Sequence, residues 1–460
     1  MMSDAATTPA VEDNRLRGDF LRAVEAALEA DDAARVRELA TPLHPADLAD
    51  LFEQLATDWR EPLAAALGDM LDADTLSEMN EWVRDEVIAT LEPAQVAEAV
   101  SEMDTDDAVA LIEEMEPEDA QAVLDEMAPD DRVAIETALS YPEESAGRLM
   151  QRELIAVPEH LGIGQVIDWL RDHPETGMDF WEIFVVDPAH KPVGTMRLSW
   201  VLTTPRDIPV ADVMQREQTL IPVTMDQEEV ALRFQKYALI SAAVVDEDGR
   251  LVGVITVDDI VHIISQEAGE DILKMTGAGD GDINEPVLDS YKARVKWLIA
   301  NLGTALISST VIAQFEGTIE KMVILAALTP IVASIGGNAG TQTMAVAVRA
   351  LATDQLTEAN TWRTIRREIR VALLNGLTIA ALLGLGVAVL LGNMQLGAVI
   401  AAAALFNIMV AGLAGVLVPV TLNHFRADPA VASSVFVTMT TDTMGFLAFL
   451  TLASLAGLTG

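Results

Sequence analysis

The sequence predicts a multidomain membrane protein: an all-α superhelical N-terminal domain, an α/β pair of strand-and-helix modules, and an all-α five-helix transmembrane domain. Three observations carry this. A 12-residue helical period runs from Leu91 to Leu139, short apolar strand-like runs separated by turns occupy the middle, and five apolar stretches follow Ser290. The expected bounds are 1–15, a disordered N-terminus; 16–144, the acidic helical repeats; 145–205 and 206–264, two copies of one α/β motif; 265–289, a linking helix and linker; and 290–460, the membrane domain.

The repeats come first. Leu91, Met103, Met115, Met127 and Leu139 open or close successive units reading LEPAQVAEAVSEM, MDTDDAVALIEEM, MEPEDAQAVLDEM and MAPDDRVAIETAL, with an earlier relative, LHPADLADLFEQL, from Leu43. Pro93, Pro117 and Pro129 stand where helices start, since the first helical residue has no use for its N–H, and acids crowd the first turns, where the helix dipole favours them. Units this short cannot each bury an apolar face, so they stack into a superhelix.

Charge divides the chain as sharply as hydropathy does. Before Ser290 there are 65 acidic and 19 basic side chains; from Ser290 onward there are seven and ten. Such an acidic half repels nucleic acid and draws counter-cations, divalent ones above all where carboxylates converge; a solvated acidic surface is the alternative reading. Cysteine is absent, which excludes disulfides and thiolate metal sites, and the six histidines form no closely spaced pair. The first twenty residues lack an apolar core, so no cleaved secretory signal is expected and the N-terminus stays cytoplasmic. No phosphate-cradling Walker A loop occurs, and no nucleophile, base and orienting group converge in any motif, so an enzyme is not expected.

After Ser145 the pattern changes. Ile183–Asp187 (IFVVD) and Ala242–Ile260 read as buried strands with turns. The stretch from Asp212 to Ile260 resembles a CBS (cystathionine β-synthase) module, and Ala146 to Leu202 resembles a weaker first copy; two such copies pair into one unit that commonly dimerises. Gly253, Ile255, Thr256 and Asp259 match the module's G-x-h-[TS]-x-x-D pattern, which in nucleotide-binding members contacts ribose and phosphate. The first copy has Gly194 and Ser199 but lacks the Asp. ATP or another adenine nucleotide at the pair, or a purely structural pair, both follow from this resemblance.

From Asp258 to about Thr276 a helix leaves the pair, carrying Glu267, Glu270 and Asp271, and Gly277, Gly279 and Gly281 break it. Acids on a helix beside an acidic domain repel unless cations lie between them. Five spans follow, near Val295–Phe315, Met322–Val348, Val371–Leu391, Leu396–Leu422 and Ala430–Leu458, each matching the ~20 helical residues that a hydrocarbon core requires. Basic residues gather before the first span, around the second-to-third connection and at Arg426, which places those ends and the N-terminus on the cytoplasmic side and the C-terminus outside.

Asp442 is the charged residue at the middle of the last span, and Ser434, Thr438 and Asp442, spaced four apart, share one helix face. Ser and Thr also pack membrane helices together, but a mid-depth carboxylate marks an ion path. Pro330, Gly336, Gly337, Asn338, Gly340, Thr341 and Gln342 weaken the second span and free backbone carbonyls toward a cavity or a close helix contact. One carboxylate in five helices makes a poor pore, whereas a homodimer brings two copies of Asp442 to its axis. Mg²⁺, which keeps its water and is held by one or two carboxylates, suits such a pair.

In this order, acidic repeats, a CBS pair, a linking helix, five spans, P-x-x-x-x-x-G-G-N-x-G-x-Q (Pro330–Gln342) and T-D-x-x-G-F (Thr441–Phe446) resemble the MgtE magnesium transporter family over nearly the whole chain. The resemblance implies a homodimeric Mg²⁺ channel of the cell inner membrane, with Asp442 as its pore acid and Asn338, Ser434 and Thr438 along the path. It implies regulatory Mg²⁺ at Asp259, Glu267, Glu270 and Asp271, and acids near the outer mouth at Glu316 and Glu320. Where the family has a pore-facing Asn, this chain has Ser434. Divalent cations and membrane lipid are the implied partners, nucleic acid is not. Transport of Co²⁺, Mn²⁺ or Zn²⁺, or a membrane-anchored Mg²⁺ or nucleotide sensor, are the competing readings.

Overall fold

In the computed structural model, which describes residues 10–12, 15–173, 180–278, 281–357 and 359–458, the 12-residue period becomes one helix and a two-residue corner. Gly279 and most of the segment 1–15 lie outside the described residues; within that segment β1 (Val11–Glu12) pairs antiparallel with β2 (Arg15–Leu16). The chain forms two units, residues 1–265 and 266–460.

The first unit opens with ten helices: α1 (Gly18–Glu29), α2 (Ala33–Ala40), α3 (Pro45–Gln54), α4 (Thr57–Leu67), α5 (Ala73–Ser77), α6 (Glu81–Ile88), α7 (Pro93–Glu102), α8 (Thr105–Glu114), α9 (Pro117–Glu126) and α10 (Pro129–Leu139). The corners at Met103, Met115 and Met127 are extended, and their side chains pack into the core between repeats. Alternate helices stack, α7 on α9 and α8 on α10.

Arginines cross-link these acidic helices. Arg60 of α4 reaches Glu86 of α6 at 2.6 Å, Arg84 of α6 pairs with Glu114 of α8, and Glu113 of α8 meets Arg148 at 2.5 Å. Arg60 and Arg84 are 4% and 6% exposed. A guanidinium so buried is tolerable only while paired.

Two matching three-stranded sheets follow. In the first, β3 (Ala156–Pro158) lies parallel to β4 (Glu182–Val186), which is antiparallel to β5 (Pro192–Arg197); in the second, β6 (Leu220–Pro222), β7 (Ser241–Val245) and β8 (Leu251–Thr256) repeat the order. Helices α11 (Ile163–Asp172), α12 (Leu198–Thr203), α13 (Val210–Val213) and α14 (Gln227–Tyr237) complete the copies. Each copy borrows an edge from the segment preceding the other: Gln151 bridges Val254 and Gln215 bridges Thr195. Phe184, Val186, Ala243, Leu251 and Val254 form a shared core. From β8 the chain enters α15 (Val257–Thr276), whose last turns belong to the second unit.

In the second unit, α16 (Val287–Gln314), α18 (Ile324–Ala352), α19 (Thr361–Leu390), α20 (Met394–His424) and α21 (Pro429–Leu455) are long and apolar enough to cross a membrane, with the short α17 (Glu316–Lys321) between the first two. The helix α20 is central, packing against α18, α19 and α21. Two expectations change. The α18 helix runs unbroken through Pro330 and the glycines, and α19 starts at Thr361, so Arg363, Arg366, Arg367 and Arg370 belong to the helix rather than to a connection.

The arginine relay is testable. Arg84→Ala strands Glu114 in a half-buried site and is expected to lower stability by about 3 kcal/mol, whereas Arg35→Ala, on the exposed surface pair with Glu38, costs under about 1 kcal/mol; denaturant unfolding of the purified chain, followed by helix-specific hydrogen exchange, separates them.

Candidate ion pathway and cation-sensing sites

On α21, Ser434 and Asp442 are half-buried and Thr438 is exposed. Among the described residues Asp442 makes no hydrogen bond or ion pair. The neighbouring helix α18 meets α21 through its glycines: a Cβ on Gly340 would lie 2.6 Å from Val437 and one on Gly337 4.0 Å from the Thr441 hydroxyl. Asn338 and Asp442 are the residues following Gly337 and Thr441 in their helices. Asn338, Thr341 and Gln342 of α18 are exposed, so a polar strip runs along a helix otherwise made for hydrocarbon.

Asn407, at mid-length on α20, is fully buried where the three helices converge. Its Nδ2 donates to the Val332 carbonyl of α18 at 2.9 Å, and among the described residues its Oδ1 has no partner. Gly336 of α18 and Gly445 of α21 make the room, since a Cβ on either would lie within 2.0 or 2.5 Å of that amide nitrogen. Gly445 stands one helical turn beyond Asp442, so the amide fixes where the pathway carboxylate sits relative to α18.

In the first unit Asp259 begins α15 and accepts from the Thr256 hydroxyl at 2.7 Å and from Gln151 Nε2 at 3.2 Å. Facing it is the first turn of α8, with Asp104, Asp106 and Asp107. Asp106 is 8% exposed, and its Oδ1 is unpartnered among the described residues. Beside it Glu153 accepts from the Thr105 hydroxyl at 2.8 Å. Burial, then the charge of Asp259, raises the carboxyl of Asp106 well above its usual range, and the same causes lift Asp107 to about 6. Asp259 itself is raised by burial, with Thr256 pulling the other way. Among the described residues no three such side chains are arranged as a ready metal cage; carboxylates with raised pKa values face each other instead.

Glu267, Glu270 and Asp271 are half-buried on the far part of α15. Lys274 holds Glu270 at 2.5 Å and Asp428, the N-cap of α21, at 3.3 Å. Burial works against the Lys274 charge, but the two carboxylates keep its ammonium above the usual range; Asp271 is raised by burial and by Asp428. Glu316 and Glu320 are exposed on α17.

The nucleotide motif lies on β8 and at the start of α15. Ile255 is core, and Gly253 is pressed by Met150 and Gln151, since a Cβ there would meet the Gln151 carbonyl at 2.8 Å. Equivalent register places Arg197 where the second copy has Thr256, and Trp200 where it has Asp259, so Ser199 does not occupy the Thr256 position. A cleft of about 550 Å³ opens between the two copies, lined by Phe184, Thr195 and Arg197 of the first and by Glu217, Gln218 and Tyr237 of the second, among others. The buried Oε1 of Gln218 has no partner among the described residues. None of the four motif residues lines it.

Local signals concealed several of these positions. Asp106 and Asp107 sit where acids ordinarily cap a helix, and the one cue is that this repeat alone starts Asp-Thr-Asp-Asp in place of a proline. Asp428 and Lys274 carried no cue.

Residues 329–452 match the family MgtE, described as a divalent cation transporter; residues 43–144 match the MgtE intracellular N domain, and residues 210–266 a CBS domain. The magnesium transporter MgtE of Thermus thermophilus is 31% identical over 94% of this chain and 97% of its own length. That of Enterococcus faecalis is 32% identical over 70% and 71%. A solved cytosolic domain of the Mg²⁺ channel MgtE in complex with ATP is 29% identical, covering 53% of this chain and 99% of that one, with a TM-score of 0.49.

The acidic junction fixes a pH dependence. With folded carboxyls raised above about 4, the native arrangement holds more protons than the unfolded chain up to about pH 6, so stability falls as pH rises through that window. Without divalent cations, the melting temperature of the purified chain is expected to drop from pH 5 to pH 7; Asp107→Asn flattens the drop, and millimolar Mg²⁺ restores the loss at pH 7 more than at pH 5.

Proposed function

The chain belongs to the MgtE family of magnesium transporters, membrane proteins and not enzymes, and from that premise we propose that it is a Mg²⁺ channel for uptake, gated by intracellular Mg²⁺. The observation that carries the pathway is Asp442, without a hydrogen bond or ion pair among the described residues, on α21, which packs against α18, the helix that bears the polar strip. A carboxylate at that depth without a partner is costly, and a hydrated divalent ion is the partner that removes the cost. The exposed Asn338, Thr341 and Gln342 support a homodimer, because a second copy covers the strip and brings two copies of Asp442 to one axis. Thr438 and Ser434 continue the face toward the α15 end of the helix. The distribution of arginines supports an orientation with the N-terminus cytoplasmic and the C-terminus outside, in the cell inner membrane where uptake would take place. No fuel is needed, since a divalent ion gains about 4.6 kcal/mol per 100 mV of inside-negative potential.

Gating works through carboxylates that burial has made reluctant to ionise. Closing α8 onto α15 packs Asp106 and Asp107 against Asp259; closing the end of α15 onto α21 packs Asp271 near Asp428. Mg²⁺ binds the closed forms better than the open ones because only there do the acids converge, and that difference is what shifts the equilibrium. Glu267 and Glu270 extend the second site. Glu316 and Glu320 act at the outer mouth as collectors of cations. The cleft between the two copies supports an adenine nucleotide there better than at the Gly253, Ile255, Thr256, Asp259 motif: Tyr237 offers a ring contact, Gln218 an acceptor for an amino group, and Arg197 one phosphate partner.

The test is Mg²⁺ flux into proteoliposomes with sensor-side Mg²⁺ either absent or millimolar. Flux that sensor-side Mg²⁺ suppresses is expected. Asp442→Ala abolishes it, and neutralising Glu267, Glu270 and Asp271 together, or Asp106 with Asp259, leaves flux running at millimolar sensor-side Mg²⁺. No flux from folded dimer would favour a membrane-anchored sensor, and Mn²⁺ or Co²⁺ flux without Mg²⁺ flux would reassign the ion.

A further inference from the structure

The helix α19 joins two surfaces that are usually separate. Arg363, Arg366, Arg367 and Arg370 recur at helical spacing on one exposed face. The same face continues into Leu373, Leu374 and Leu377, which are 42%, 67% and 51% exposed. The opposite face, with Ile365, Glu368, Ala372 and Gly376, is buried, and α19 packs on α20. The arginines therefore lie in register with side chains that face hydrocarbon, at the end of the span, where headgroups begin. Trp362, 62% exposed, lies beneath the Arg366 guanidinium at 5.4 Å from its ring centre. Of the four arginines, Arg367 pairs with its neighbour Glu368; among the described residues no carboxylate ion-pairs with Arg363, Arg366 or Arg370.

We propose that this face of α19, formed by Trp362, Arg363, Arg366 and Arg370, is a docking surface for the phosphodiester headgroups of anionic phospholipids. Charge complementarity selects that occupant. A guanidinium offers planar paired donors to phosphate oxygens, and an indole prefers the membrane–water boundary. A second copy of the chain is a poor occupant, because two such faces would set like charges against each other. The acidic half of the chain makes the matter sharper: a protein with 72 acidic and 29 basic side chains is repelled as a whole by an anionic bilayer, and this face is where it gains attraction back. The proposal rests on the membrane-spanning placement of α19 and not on which ion crosses.

The experiment uses the full chain in phosphatidylcholine vesicles, with and without about one third phosphatidylglycerol, reading the thermal midpoint and the lipid retained in native mass spectrometry. Phosphatidylglycerol is expected to raise the wild-type midpoint and to co-purify. The triple variant Arg363→Gln, Arg366→Gln, Arg370→Gln should lose at least half of the rise while keeping its midpoint in pure phosphatidylcholine, and the corresponding triple Lys variant should keep most of it. An undiminished rise in the Gln variant overturns the proposal. So does a wild-type rise reproduced by inorganic phosphate in solution, which would make the ligand a free anion, or a change of oligomeric size in the Gln variant, which would make the face an interface between copies. If the triple variant does not fold, the three single Gln variants take its place, and no loss in any of them is likewise fatal.

Discussion

Like-charge repulsion is the constraint on which the rest of the fold depends. With 65 acids before Ser290, every packed contact in the first unit is made against a field that pushes the elements apart. The helical repeats meet it in two ways. They place carboxylates in first turns, where the helix dipole partly neutralises them, and they spend scarce arginines as links: the buried Arg60 and Arg84 join alternate helices through Glu86 and Glu114, and Arg148, from the segment after α10, reaches Glu113 of α8. Where α8 faces α15 the second device is missing. Asp106, Asp107 and Asp259 approach from two first turns, with hydrogen bonds from Thr256 and Gln151 to Asp259 but no ion pair among the described residues; the Arg84 charge offsets Asp107 only in part, and the raised carboxyls record the deficit.

The membrane unit obeys the complementary rule that polar atoms in hydrocarbon must be matched. Asn407 illustrates a near-complete solution: its amide nitrogen is spent on Val332, and the glycines of two other helices close around it. That contact stiffens the junction of α18, α20 and α21, so the carboxylate one turn from Gly445 is held by packing rather than by its own bonds. Asp442 is left unmatched. The two differ in their partners, although both are polar residues in apolar helices.

Much of this was legible in the sequence, for identifiable reasons. The 12-residue period survives into helices of ten or eleven residues because proline sets the start of α7, α9 and α10, an Asp-rich first turn that of α8, and a methionine marks each corner, all of which are local signals. The five spans are legible as composition. The start of α19 was not, because four arginines resemble a connecting loop until their spacing is set beside the exposed leucines that follow. Asp106 was hidden by a sound local explanation, an acid in a first turn; its true surroundings come from Asp259, more than a hundred residues away. Around Gly253 the surroundings are long-range as well: the Met150–Gln151 segment pairs with β8 and lies against Gly253, and a cleft opens between the two copies, neither of which has a local signal.

One helix carries acids into both units, and its two ends are neutralised differently. At its start Asp259 meets Asp106 with no ion pair to a positive side chain among the described residues, and Arg84 offsets only the adjoining Asp107 in part, so most of the compensation falls to a mobile ion or to protons. At its end Lys274 already stands between Glu270 and Asp428, and the uncompensated remainder is Asp271. A built-in ammonium supplies one charge at every Mg²⁺ concentration, which lowers the repulsion an ion has to overcome there without removing it. The end of α15 beside α21 is therefore the more easily docked of the two contacts, and the junction of α8 with α15, with no such counter-charge, is the contact whose formation depends more steeply on the cation. In the gating proposed above, that asymmetry makes the start of the helix the sensor and its end the latch.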